Sequence, residues 1–227
     1  MTRKRIKSEF LQKLLNAVYP KRCFLCEKII RYNETVCPEC QKQLKEAKDI
    51  TYRKYAKGGY TCVSSVPYTD NFARAIINFK FHGKKQHSPQ IAQVIADTVK
   101  KEYSDNHFDF ITFVPMHKKN LRKRGYNQCE LIAKDLSEIL EIPAVATLRK
   151  TRFTKPQHEL KAAKRGDNVK GAFRITDKNL VKDMDILLLD DIITTGNTLG
   201  ECAKTLDIYS PRSINCVTFA ISVVKTT

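Results

Sequence analysis

Nowhere in the 227 residues does an apolar run approach the ~18 needed for a membrane-spanning helix, which argues against an integral membrane protein. The basic start is not followed by an apolar core of about 7–15 residues and a small-residue cleavage site, so no secretory leader is expected. Glycine and proline are scarce, 8 of each, in a chain that is 42% hydrophobic, and this excludes a wholly disordered polymer. Acidic residues are also in deficit. There are 24 of them against 41 Lys and Arg, a formal net charge of +17, so a polyanionic partner of unspecified kind is implied. At 26.1 kDa the chain suits one globular domain with a small appended module.

Eight cysteines are present, and four are clustered. Cys23, Cys26, Cys37 and Cys40 form C-x2-C-x10-C-x2-C, the spacing of two thiolate turns facing one another across a tetrahedral zinc, with Pro38 stiffening the second turn. Two disulfides are the rival reading, and they would require an oxidising compartment. Four thiolates leave no coordination position for water, so one structural zinc is expected and not a catalytic one. Reduced thiols and the missing leader together point to the cytoplasm. Cys62, Cys129, Cys202 and Cys216 lie among apolar or helix-forming residues and are expected to pack as small hydrophobes.

The chain divides by composition. Residues 1–20 read as a basic amphipathic helix ended by Pro20, 21–45 as the zinc finger, and 46–60 as a linker tipped by Gly58 and Gly59. Residues 61–227 alternate strand-like and helix-like stretches: strands over 61–67, 110–115, 144–148, 185–189 and 213–223, with helices over 72–81, 91–103 and 131–140 and another from Thr198. Such alternation makes a parallel sheet with helices on both faces, and ligands bind outside the carboxyl ends of its strands.

The strand from Asp185 ends in Asp190 and Asp191, then Ile192, Ile193, Thr194, Thr195, Gly196, Asn197 and Thr198. Successive N–H groups opening a helix form a concave phosphate site, with hydroxyls of Thr194, Thr195 and Thr198 as further donors and Gly196 permitting close approach. Carboxylates would repel a phosphate. Asp190 and Asp191 instead suit the two hydroxyls of a ribose carrying it, with a divalent ion nearby.

After the 110–115 strand, Pro115 leads into Lys118, Lys119, Arg122, Lys123 and Arg124 without an intervening acid, a segment suited to a diphosphate or to nucleic-acid phosphates. Asn127 and Gln128 are expected to open the next helix with their side chains turned toward the site. His117 is a candidate acid or base, or a solvent-facing loop histidine. Residues 149–174, with Gln157, Arg165, Asn168 and Phe173, have too few apolar positions for a strand or core helix and read as a lid or insertion.

The segment from Asp190 to Thr198 matches D-D-x-x-T-T-G-x-T and resembles the 5-phosphoribosyl diphosphate (PRPP) loop of type I phosphoribosyltransferases. That resemblance implies ribose hydroxyls on Asp190 and Asp191 and the 5′-phosphate on the loop through Thr198, with magnesium accompanying PRPP. Taken with the four-cysteine turn, Phe79-Lys80-Phe81-His82-Gly83-Lys84, Arg124-Gly125-Tyr126-Asn127-Gln128 and the 149–174 residues, nearly the whole chain is similar to the ComF family of competence proteins. The fold implied is α/β, a parallel-sheet type I phosphoribosyltransferase-like domain behind an N-terminal four-cysteine zinc finger. Many relatives read Val-Pro-Val-Pro where this chain has Thr112-Phe113-Val114-Pro115, a departure that bears on the detailed shape of the pyrophosphate-side loop and not on the resemblance. The family implies single-stranded DNA handling in natural transformation, a helicase-like ATPase as companion, and a place at the inner face of the membrane.

Two functions follow. One is a binding module for DNA and a phosphoribosyl ligand, with Tyr32, Tyr52, Tyr55 and Tyr60 as stacking candidates or merely half-buried residues. The other is a transferase releasing pyrophosphate from PRPP onto an unidentified base or amine, with Arg122 and Arg124 stabilising the leaving diphosphate. Charge is consistent with two anionic ligands: residues 1–60 hold 15 basic against 6 acidic residues, and 61–227 hold 26 against 18.

Overall fold

The computed structural model describes residues 20–31, 34–154 and 168–222. The amphipathic helix expected over 1–20 therefore lies outside the described residues, apart from Pro20, as do Tyr32, Gln157 and Arg165.

A five-stranded sheet organises the chain, in the order β1-β2-β7-β6-β3. Its strands are β1 (Tyr52–Tyr55), β2 (Thr61–Pro67), β3 (Phe110–Phe113), β6 (Asp185–Ile193) and β7 (Ser213–Ile221). β2, β7, β6 and β3 are mutually parallel, and β1 adds antiparallel to the outer edge of β2. β6 is buried along nearly its whole length, the pattern of a central parallel strand covered on both faces.

Alternation along β6 separates two cores. Leu187 and Leu189 join Val217 and Phe219 under α3 (Ser88–Glu102) and α5 (Gln128–Leu140), whereas Ile186 and Leu188 join Cys216 under α6 (Asn197–Asp207). The first core also takes in Phe24, Leu25 and Ile30 of the cysteine module and Leu44 of α1 (Pro38–Lys48). Phe24 meets Phe219 edge-on at 6.3 Å between ring centroids. The module is thus part of the wall of the main domain.

Residues 46–60, expected as a linker, hold the end of α1 and the whole of β1. A four-residue strand of Tyr-Arg-Lys-Tyr with no fully buried position is what a polar sheet edge looks like. The strand expected over 144–148 is also displaced. Ala144 makes a single parallel bridge to Ile111, next to Pro143, which has no N–H to extend the ladder. The regular pairing there is β4 (Leu148–Lys150) with β5 (Phe173–Ile175), antiparallel, at the base of the expected lid. Apolar content was too low to reveal this two-stranded unit; it rests on Leu148 and Phe173, both buried. Cys62, Cys129, Cys202 and Cys216 are all buried, as expected of small apolar residues.

Candidate functional site

β6 continues four residues beyond the expected end at Leu189, so Asp190 and Asp191 lie inside the strand and are buried. Their surroundings differ. Asp191 is held on both oxygens: Lys80 Nζ lies 2.7 Å from Oδ1, and Gln128 Nε2 donates to Oδ2 at 2.7 Å. Asp190 Oδ1 accepts the Asp191 N–H at 2.9 Å and the Cys129 thiol at 3.3 Å. Burial, reinforced by the adjoining Asp191 charge and opposed by Lys80, pushes the Asp190 carboxyl up to about 7. Burial alone would drive the Lys80 ammonium toward deprotonation, but the two carboxylates outweigh it and its pKa is raised. Lys80 comes from the end of α2 (Asp70–Phe81).

The loop after β6 turns at Gly196 into a helix, as its sequence leads one to expect. Gly196 has φ +72°, and α6 starts at Asn197, so the helix opens toward the acid pair's end of the sheet. Asn197 Nδ2 donates to Thr195 Oγ1 at 2.9 Å, fixing the loop internally. β1 and the turn after it brace the loop from behind: Lys57 N–H donates to Gly196 O at 3.3 Å, and Lys54 Nζ of β1 donates to Thr194 O. A Cβ on Gly196 would lie 2.8 Å from Ala56 Cα, and one on Gly200 2.2 Å from Lys57 O. Gly200→Ala is therefore expected to cost about 1–3 kcal/mol or more through overpacking against backbone. In a chain of this size each kcal/mol is read by calorimetry as a melting-temperature loss of about 2–4 °C, and an unchanged melt would contradict the packing.

The basic segment is a short helix, α4 (Lys118–Arg124), and not a loop. His117 caps it, its Nδ1 accepting the Lys119 N–H at 3.2 Å while its ring packs edge-on against Phe153. Asn127 likewise caps α5, its Oδ1 accepting the Cys129 N–H at 3.2 Å and its Nδ2 donating to Val114 O at 3.2 Å. Of the two polar residues expected to face the site, Gln128 does and Asn127 is taken up by capping. Arg124 donates to Gln128 Oε1 at 2.5 Å and lies over the Phe81 ring, so one guanidinium is tied to the acid pair. Lys118 and Arg122 are exposed on α4, and Pro115 is buried just after β3.

Lys80 and Cys129 escaped the site reading. The available signal was a lysine between two phenylalanines at a helix end, where a solvated charge is unexpected.

At the other end of the module, the sulfurs of Cys23, Cys26, Cys37 and Cys40 all lie within 4.8 Å of one another, with Cys26 and Cys37 3.6 Å apart. Tetrahedral zinc with bonds of about 2.3 Å would set its sulfurs about 3.8 Å apart, so the donor set fits. None of the eight cysteines is in a disulfide. The knuckle residue Glu27, at φ +65°, reaches toward α2 and accepts from Lys84 Nζ at 3.0 Å, His87 Nε2 at 3.1 Å and Asn78 Nδ2 at 3.4 Å.

Residues 126–225 match the phosphoribosyl transferase domain, and residues 14–57 the double zinc ribbon domain. The latter span contains four cysteines and no histidine, the donors for one zinc. Competence protein F of Haemophilus influenzae is 28% identical over 208 residues, covering 82% of this chain and 90% of that protein. DNA utilization protein YhgH of Salmonella typhimurium is 26% identical, covering 81% of this chain and 83% of that one. A crystal structure of adenine phosphoribosyltransferase aligns at 15% identity and a TM-score of 0.40, over 79% of this chain and 89% of that one. With a four-cysteine zinc ribbon built onto a mainly parallel phosphoribosyltransferase sheet, the chain is a homologue of the proteins named Competence protein F and YhgH.

Proposed function

We propose that this protein handles single-stranded DNA and holds PRPP, or a related phosphoribosyl ligand, in the cradle after β6. The observation that supports the ligand is a buried acid pair running straight into a helix-opening loop with Thr194, Thr195 and Thr198 around Gly196. In this reading the α6 N–H groups and the threonine hydroxyls receive the 5′-phosphate, and the ribose hydroxyls lie against Asp190 and Asp191. The diphosphate extends toward Arg124 and the cations of α4. Magnesium accompanying PRPP would be held by the oxygens of the diphosphate and would supply charge there. Zinc in the four-cysteine cluster is structural, since four thiolates complete its shell.

PRPP at about 100 times its dissociation constant should stabilise the protein by about 2.7 kcal/mol. Calorimetry should register that as a rise of roughly 5–10 °C, and Thr194→Val with Thr198→Val should shrink it. No shift with PRPP and magnesium would sink the phosphoribosyl reading. Transferase activity is the second reading, favoured by the Arg124–Gln128–Asp191 tether, which keeps a guanidinium on the diphosphate side. Pyrophosphate release with a base or amine acceptor is its test.

The DNA half is supported by the names of the two relatives and by surface charge. Arg22, Arg31, Lys42 and Lys45 are exposed on the cysteine module, and Tyr55 is exposed on β1. Tyr60 is a poorer stacking candidate, its hydroxyl donating to Asp207 at 3.1 Å. Affinity for single-stranded DNA should fall with salt at a logarithmic slope of about −0.7 per phosphate contacted. A helicase-like ATPase partner at the cytoplasmic face of the membrane completes the proposal. Among the described residues no helix is long and apolar enough to cross a membrane.

A further inference from the structure

We propose that Lys80 is the resident cation of the acid pair, so that the ribose end of the site takes its ligand without a divalent metal. The inference rests on the phosphoribosyl reading and specifies how that site is charged. Two adjoining buried carboxylates facing an incoming phosphate repel both each other and the ligand, and a low-dielectric setting magnifies the effect. A divalent ion brought in with the ligand is one solution. This chain holds another: an ammonium 2.7 Å from Asp191, its side chain mostly buried.

That ammonium is anchored. The residue before it, Phe79, is fully buried, and its carbonyl accepts the Tyr126 hydroxyl. The residue after it, Phe81, lies under the Arg124 guanidinium at 5.1 Å. Asn78, Lys84 and His87 on either side are gathered by Glu27 of the cysteine module. Lys80 thus enters the site from a segment fixed at both ends and is a positioning charge for Asp190 and Asp191.

Ribose 5-phosphate is the discriminating probe, because it has the hydroxyls and the 5′-phosphate but no diphosphate to carry magnesium. Titration calorimetry would compare it with PRPP, with magnesium present or omitted, on the full chain with zinc content verified. Wild type should bind ribose 5-phosphate with an affinity that magnesium changes by less than about threefold. Lys80→Met should weaken it by about tenfold or more without magnesium and regain most of that with it, while Lys80→Arg stays near wild type. If Lys80→Met melts too low to assay, Lys80→Gln keeps an N–H donor toward Asp191 without the charge and should show the same loss without magnesium and recovery with it.

A wild type that binds PRPP but takes ribose 5-phosphate only with magnesium overturns the inference and leaves the phosphoribosyl reading intact. A Lys80→Met loss that is equal with and without magnesium also overturns it, making Lys80 purely structural. If neither ligand binds under any condition to zinc-loaded, normally melting protein, both proposals fall.

Discussion

Replacing Cys37 and Cys40 by serine, or stripping the metal with a chelator, should unfold much more than the ribbon. Structural zinc sites contribute apparent free energies of about 10–16 kcal/mol, comparable with the roughly 5–15 kcal/mol of a whole domain. Here the ribbon shares its core with the sheet, through Phe24 on Phe219 and through Leu25 and Ile30 in the same cluster. Losing it uncovers Phe219 of β7 where Phe24 packs on it and frees Lys84 and His87 from Glu27. The chain has no tryptophan, so calorimetry is the suitable readout. The serine variant should melt in a lower, broader transition, with faster amide exchange at Phe219 and Ala220. A melt within about 2 °C of wild type would show that the cysteines do not stabilise the fold through metal.

The two neighbouring aspartates should respond to substitution with opposite signs. Asp191→Ala removes the partner of a buried ammonium, and breaking one side of such a pair costs about 3–5 kcal/mol. Asp190→Asn should be neutral or stabilising above neutral pH. The Asp190 carboxyl titrates near 3.8 when unfolded and near 7 in the folded protein. Between those values the unfolded chain has lost the proton and the folded one has kept it, so stability falls as pH rises through the window. Asparagine removes that loss while its Oδ1 still accepts the Asp191 N–H and the Cys129 thiol. Its advantage should grow from about pH 4 to pH 7 and then level off. Melting temperatures for both variants at pH 5 and pH 8 provide the check. An Asp190→Asn variant that is less stable than wild type at pH 8 would mean the carboxylate is held ionised.

How much of this was legible in the sequence depended on the range of the signal. The cysteine turns and the segment from Asp185 to Thr198 are local: spacing, apolar content and a glycine before a helix carry them, although β6 runs four residues past its expected end. The Lys80–Asp191 pair spans 111 positions and exists only because the end of α2 docks over the end of β6. No local pattern encodes that docking. The same holds for β4 and β5, which pair from opposite ends of a polar stretch. His117 and Asn127 show a different limit. A polar residue just before a helix serves equally as ligand or cap, and backbone donors left over at the helix start claimed both. In β1 the alternation was present, but with charged and aromatic residues and no buried position it could not be told from a linker.

β1 also bears on where this chain could be divided. The zinc ribbon match ends at residue 57, at the turn leading into β2, and the phosphate loop leans on that same turn. A fragment starting at Thr61 would carry the whole parallel sheet but leave the outer edge of β2 bare from Thr61 to Ser64, the stretch that β1 pairs with, beside an apolar face. Such an edge is a template for other strands, so the liberated domain would tend to assemble with itself through β2. By covering that edge the ribbon segment acts as a built-in guard against self-association, and the two modules are poor candidates for separation or exchange.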